Sequence, residues 1–317
     1  MEKARFKWVL RERNRKIAAK TEVFTEQQAR RVRSFHSSFK EYSPTPLIEL
    51  TSLAQHLGIK NLFVKDESYR FGLNAFKVLG GSFAIGSYIA NELGEDIDDL
   101  PYMRLVSDEV RSLLGSKTFI TTTDGNHGRG VAWTANRLKQ QAIVYMPQGS
   151  AAERLSNIRA EGAQAEITDM NYDDTVRYTS ELAQKNGWII VQDTAWDGYT
   201  RIPLWIMQGY MTMALEAYEQ LPVKPTHIFL QAGVGSLAGS VQGFFADIYG
   251  SSCPLTFIVE PKGADCLYQT AAANDGSLHS VTGRLETIMA GLACGEPNSI
   301  ASVSYTHLRA HETCADL

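Results

Sequence analysis

Three short segments of this 317-residue chain gather residue types that do chemistry. In KDESYRFGLNAFKVLGG, Lys77 follows an apolar run and a turn and opens a helical pattern, with Phe76 before it and the small pair Gly80 and Gly81 after it. A lysine that forms a Schiff base has to sit on a rigid element, partly desolvated so that its amine is neutral, with space for a bulky carbonyl partner. Phe76 on one side of Lys77 and the small pair Gly80 and Gly81 on the other would suit that. The plain alternative is a solvated lysine at a helix start, which the positive end of the helix dipole disfavours.

In THIFLQAGVGSLAG an apolar run enters glycine-rich turns and then a helical pattern. The backbone N–H groups of Gly233, Val234, Gly235, Ser236 and Leu237 would converge there on one anion. The spacing is not GxGxxG and the segment lies late in the chain, so a nicotinamide cofactor is the weaker candidate. Packing alone is the competing reason for these glycines. In ITTTDGNHGRG, Thr122 and Thr123 offer hydroxyls and N–H groups for a substrate carboxylate, and Asn126 an amide for a phenolic oxygen. Asp124 is a proton acceptor or an Asx-turn residue, and His127 by itself reads as a structural histidine at a helix start. An imine lysine, an anion cradle and a carboxylate-holding loop form the set that pyridoxal phosphate chemistry needs.

The elements that must position these loops alternate. Apolar runs expected as strands are NLFVKDE, KTFITTT, AIVYMP, AEITD, WIIVQD, THIFLQAG and LTFIVEP. Helical patterns cover 76–91, 129–140, 151–161, 172–186, 203–220 and 237–249, with Pro203 in a first turn. That alternation predicts an α/β fold with an open parallel sheet and sites at strand carboxyl ends. The stretch 92–117 reads as an insertion between a helix and the next strand.

Composition narrows the partners. With 31 Lys+Arg against 35 Asp+Glu, a net charge of −4, no basic excess draws nucleic acid or anionic lipid. No apolar run approaches the roughly 20 residues of a membrane span, and the first residues are broken by charges rather than reading as a secretory signal. A cytoplasmic protein acting on a small molecule is expected. The four cysteines include no CxxC pair and read as buried or incidental thiols, with a Cys266 to Cys294 pairing left open.

Through Pro44-Thr-Pro-Leu47, Lys65-Asp-Glu67, Phe76-Lys77, Gly125-Asn-His127 and the loop from Gly233 to Gly239, residues 40–300 resemble the tryptophan synthase β-like, or fold-type II, pyridoxal phosphate family. Within it, DESYRFGLNAFK, TTTDGNHGRGVAW, DMNYDDTVR, QDTAWDGYT, LQAGVG and MAGLACGEPN resemble the ammonia-lyases of 2,3-diaminopropionate. The resemblance implies a homodimer and two domains per chain, a larger one from 1–88 and 197–303 that holds the cofactor and a smaller one at 89–196. It also implies elimination from 2,3-diaminopropionate to pyruvate and two ammonia. Lys77, Asp124 and Asp193 are then the expected catalytic residues, Thr122 and Thr123 join the two aspartates in binding substrate, and Asn126 and Gly233 to Leu237 bind cofactor. Asp124, usually a small uncharged residue in serine and threonine dehydratases, would take the proton from a D substrate and Lys77 from an L substrate. Asp193 would hold the distal ammonium or tune Asp124. A dehydratase is the near alternative; an inactive ligand-binding relative and a nucleotide-binding oxidoreductase are more distant ones.

Family members continue beyond this chain's last residue, so the residue facing the pyridine nitrogen is not assigned. Residues 304–317 depart from the family, resemble adaptor read-through, and are expected to be a foreign tail. Zinc binding by His307, His311 and Cys314 is the minor reading, and no metal is expected.

Overall fold

The computed structural model describes residues 7–11, 21–123, 125–283, 285, 287–301 and 310–315. In chain order its elements are β1 (Lys7–Arg11), α1 (Glu26–Ser37), β2 (Leu47–Glu49), α2 (Thr51–Leu57), β3 (Phe63–Lys65), α3 (Lys77–Leu93), α4 (Tyr102–Leu105) and α5 (Asp108–Leu114). Next come β4 (Thr118–Thr122), α6 (Asn126–Arg137), β5 (Gln141–Met146), α7 (Ala152–Ala160), β6 (Gln164–Ile167), α8 (Tyr172–Asn186), β7 (Ile189–Ile190) and α9 (Arg201–Gln220). β8 (His227–Gln231), α10 (Ser236–Tyr249), β9 (Leu255–Pro261), α11 (Cys266–Ala273) and β10 (Ala310–Ala315) complete it.

The α/β alternation produces two sheets rather than one. A parallel sheet runs β6-β5-β4-β7, and a second runs β1-β10-β9-β8, parallel except where β1 meets β10. The first is built from residues inside the expected 89–196 segment, and the second from residues outside it. Two strand expectations need correction. Of NLFVKDE only Phe63–Lys65 is a strand, and it pairs antiparallel with β2 in a separate ribbon. Of WIIVQD only Ile189–Ile190 is a strand; the Val191 N–H still bonds the Ile120 carbonyl of β4 at 2.9 Å, and the chain leaves the sheet after it. Within 304–317, Ala310–Ala315 pairs as β10, while His307 lies outside the described residues.

The helix expectations agree with the structure to within three residues at each end, and α8 coincides with its expected span. α3 is the central element. Its stretch from Val78 to Ala90 is buried except at Tyr88, because α9 lies against one side and α6 against another. Small residues set how close these helices come: a Cβ at Gly209 of α9 would collide with the Leu79 carbonyl oxygen, and one at Gly130 of α6 would lie 2.8 Å from Val78 Cα. The N-terminus of α3, with Lys77, is thereby fixed against both helices. Among the described residues no helix is long and apolar enough to cross a membrane.

Candidate active site

The loop that delivers Lys77 is held by buried charge. Arg70 is fully buried, donating to Glu67 and to both carboxylate oxygens of Glu216 at 2.7 and 2.8 Å, and Lys65 adds an ion pair to Glu216 at 2.8 Å. Burial opposes ionisation of Glu216, but Arg70 and Lys65 hold its carboxyl down to about 2. Clamped this way, the loop accommodates left-handed backbone at Phe71 (φ 50°) and Asn74 (φ 57°), which costs free energy at non-glycine residues.

Lys77 is the first residue of α3, and its Nζ donates to Asp193 Oδ2 at 2.7 Å. Asp193 arrives there because the chain leaves β7 three residues earlier. Burial alone would raise its carboxyl, but the Lys77 ammonium, with the His127 ring, holds it down to about 2. The Asp193 carbonyl is anchored in turn. Ser236 Oγ donates to it at 2.6 Å, and Asn298, fully buried, donates to Ser236 Oγ at 2.8 Å. The start of α10 and the Lys77 counter-ion are thus one connected unit.

Two lobes of a cleft meet at Lys77, Asp193 and Arg154. The first, about 440 Å³, is walled by Phe76, Asn126, Tyr210 and the loop from Gly233 to Leu237, which places each expected cofactor residue on one cavity. The second, about 590 Å³, is walled by Thr122, Thr123, His127 and the turns at 148–151, 171–173 and 281–283. Asp124 lies outside the described residues.

The glycine loop fits a phosphate. Gly235 (φ 95°) turns left-handed to start α10, whose first N–H groups have no carbonyl one turn earlier to bond. A side chain at Gly233 would press on Cys294 Sγ at 3.2 Å, and buried Cys266, its thiol pushed up by burial, donates to the Gly233 carbonyl at 3.6 Å. The first lobe also falls within the roughly 300–1,000 Å³ of small-ligand sites. A lysine amine at one end and an anion cradle along the wall are what pyridoxal phosphate requires, so the residues present fit it. Lys77 would carry its carbonyl carbon, the loop its phosphate and Asn126 its ring oxygen.

Some expected groups are engaged elsewhere. Thr122 Oγ1 pairs with Thr179 at 2.7 Å and its N–H donates to Gln192 Oε1 at 3.1 Å, so neither points freely at a carboxylate. Thr123 Oγ1 accepts from the Gly125 N–H at 3.0 Å. Ser236 spends its hydroxyl on Asp193, leaving its backbone N–H for an anion. Cys253, Cys266 and Cys294 are in no disulfide, so the Cys266 to Cys294 pairing is not formed. Arg154, Tyr210 and Asn298 were missed in sequence. Only Asn298 carried a signal, as the last letter of MAGLACGEPN.

Comparison with known proteins identifies the family. A family model described as pyridoxal-phosphate dependent enzyme matches residues 39–313. The diaminopropionate ammonia-lyase of Salmonella typhimurium is 53% identical over 287 residues, 89% of this chain and 70% of that protein. The crystal structure of the Escherichia coli diaminopropionate ammonia lyase in complex with D-serine superposes with a TM-score of 0.90 at 46% identity, covering 99% of this chain and 77% of that one. The same enzyme in complex with an aminoacrylate-PLP azomethine reaction intermediate gives a TM-score of 0.88, with the same identity and coverage. The chain belongs to the pyridoxal-phosphate-dependent enzyme family, in its fold-type II class and among the diaminopropionate ammonia-lyases.

Proposed function

We propose that this chain catalyses α,β-elimination of 2,3-diaminopropionate, which with one water gives pyruvate and two ammonia. The observation that carries the reading is the Lys77–Asp193 pair at the junction of a phosphate-cradling lobe and a polar lobe. When bound, pyridoxal phosphate supplies the electron sink that lets a Cα–H bond break. The protein's part is placement and proton handling. Lys77, at the end of a rigid helix, takes the Cα proton of an L substrate, and its return of a proton assists departure of the β-amine. Asp193 stays ionised beside Lys77, so it can hold an ammonium, whether that of Lys77 or the distal one of the substrate. Asp124 is assigned the Cα proton of a D substrate, and Thr123 with the turns of the second lobe the substrate carboxylate.

A cytoplasmic homodimer, with the larger domain at 1–88 and 197–303 and the smaller at 89–196, is the organisation that the family resemblance supports. The purified chain, supplied with pyridoxal phosphate, is expected to release pyruvate from 2,3-diaminopropionate faster than it releases pyruvate from serine or 2-oxobutyrate from threonine, read by coupled reduction of the 2-oxo acid. Faster turnover of serine or threonine would make it a dehydratase; no 2-oxo acid from any of them would overturn the reading.

A further inference from the structure

Tyr210 sits in the middle of α9, is 1% exposed, and forms part of the wall of the lobe that holds Lys77, Asn126 and the glycine loop. Its ring is wedged. Phe76 meets it edge-on at 5.1 Å between centroids, and the α3 backbone at Gly80 approaches so closely that a Cβ there would lie 2.7 Å from Tyr210 Cε1. The phenol therefore cannot swing away in search of a partner.

Its hydroxyl nevertheless has no hydrogen-bond partner among the described residues. The neighbouring polar side chains differ: Lys77 bonds Asp193, and Ser236 bonds the Asp193 carbonyl and Asn298. A buried hydroxyl without a partner is destabilising, and a phenylalanine would fill the same ring volume without that cost. Burial pushes the phenol up; the Lys77 charge opposes this and Asp193 adds to it, so the group stays protonated with an O–H to donate. Tyr210 does not border the second lobe, where the substrate reading places the carboxylate.

We infer that Tyr210 is a further cofactor-binding residue, whose hydroxyl donates a hydrogen bond to an acceptor atom of pyridoxal phosphate seated against Lys77. The inference rests on the cofactor reading above and adds a residue that the motifs did not contain. It explains a polar group at a site where packing alone asks for none.

The test is Tyr210→Phe, which preserves the ring. Protein stripped of cofactor would be titrated with pyridoxal phosphate, following quenching of protein fluorescence and growth of the bound cofactor's absorbance. The expected result is a Kd raised about three- to tenfold, the size of one hydrogen bond. The stripped variant should melt no lower than stripped wild type, since it loses only an unpartnered hydroxyl. Tyr218→Phe, further along α9 and packed on Phe244, should leave the Kd unchanged. An unchanged Kd in Tyr210→Phe, or a melting temperature lowered equally with and without cofactor, would overturn the inference. Wild-type protein that takes up no pyridoxal phosphate would instead overturn the cofactor reading on which it stands.

Discussion

Lys77 Nζ donates to Asp193 Oδ2 at 2.7 Å, joining the N-terminus of α3 to the segment that leaves β7. A cation at a helix N-terminus is mildly unfavourable, and the carboxylate offsets this while staying ionised down to about pH 2. Lys77→Ala should abolish both turnover and the absorbance of lysine-linked cofactor. Asp193→Asn keeps the shape and removes the charge, so we expect the cofactor to remain and kcat/KM for 2,3-diaminopropionate to fall about 100-fold. Pyruvate release measured at fixed cofactor occupancy decides it; an unchanged rate removes Asp193 from the chemistry.

Asp124 follows Thr123, whose hydroxyl already serves the Gly125 N–H. Its proposed task is stereochemical. Asp124→Asn should therefore lower the rate with D-2,3-diaminopropionate by about 100-fold and much less with the L isomer, for which Lys77 is the proposed base. Losses of equal size for both isomers would leave Asp124 a structural turn residue.

Lys77, Asn126 and the Gly233 loop were readable in the sequence because each stands where a strand or turn passes into a helix, a local feature that periodicity and glycine mark. NLFVKDE misled because a short β-branched run looks the same in a parallel sheet and in a two-stranded ribbon. WIIVQD was only partly legible for a functional reason: Asp193 reaches Lys77 because the run leaves the sheet after Val191. Asn298 to Ser236, and Tyr210 to the first lobe of the cleft, depend on packing between distant segments, which local spacing does not encode. The same holds for Thr122, whose partner Thr179 lies on α8.

The crossing of α3 and α9 is close enough that Gly209 has backbone of α3 where a side chain would go. Gly209→Ala should destabilise the protein by about 1–3 kcal/mol through overpacking. Because α3 carries Lys77, the shift should also weaken pyridoxal phosphate binding. Urea denaturation and cofactor titration check the two parts. A variant of wild-type stability would show that the helices separate freely, and the proposed rigid mounting of Lys77 would fail with it.

His36 ties α1 to this same helix. Its ring is fully buried, with Nδ1 at 2.7 Å from Thr212 Oγ1 and Nε2 at 3.0 Å from the Leu79 carbonyl and 3.1 Å from Ser82 Oγ. Burial pushes its pKa down to about 3; the Arg70 charge adds to this, while the Leu79 carbonyl and Glu216 oppose it. The folded protein keeps the ring neutral, whereas the unfolded chain protonates it below its ordinary value of 6.5. Unfolding therefore takes up a proton across this window, so the stability contribution is complete above pH 6.5 and is lost as pH falls toward 3. His36→Gln keeps a hydrogen-bonding side chain that does not titrate. Between pH 6.5 and 5, above most carboxylate titration, wild-type stability in urea should drop by up to about 1.4 kcal/mol per pH unit more steeply than that of the variant. Parallel pH dependences would mean that His36 protonates within the fold, against its burial between α1, α3 and α9.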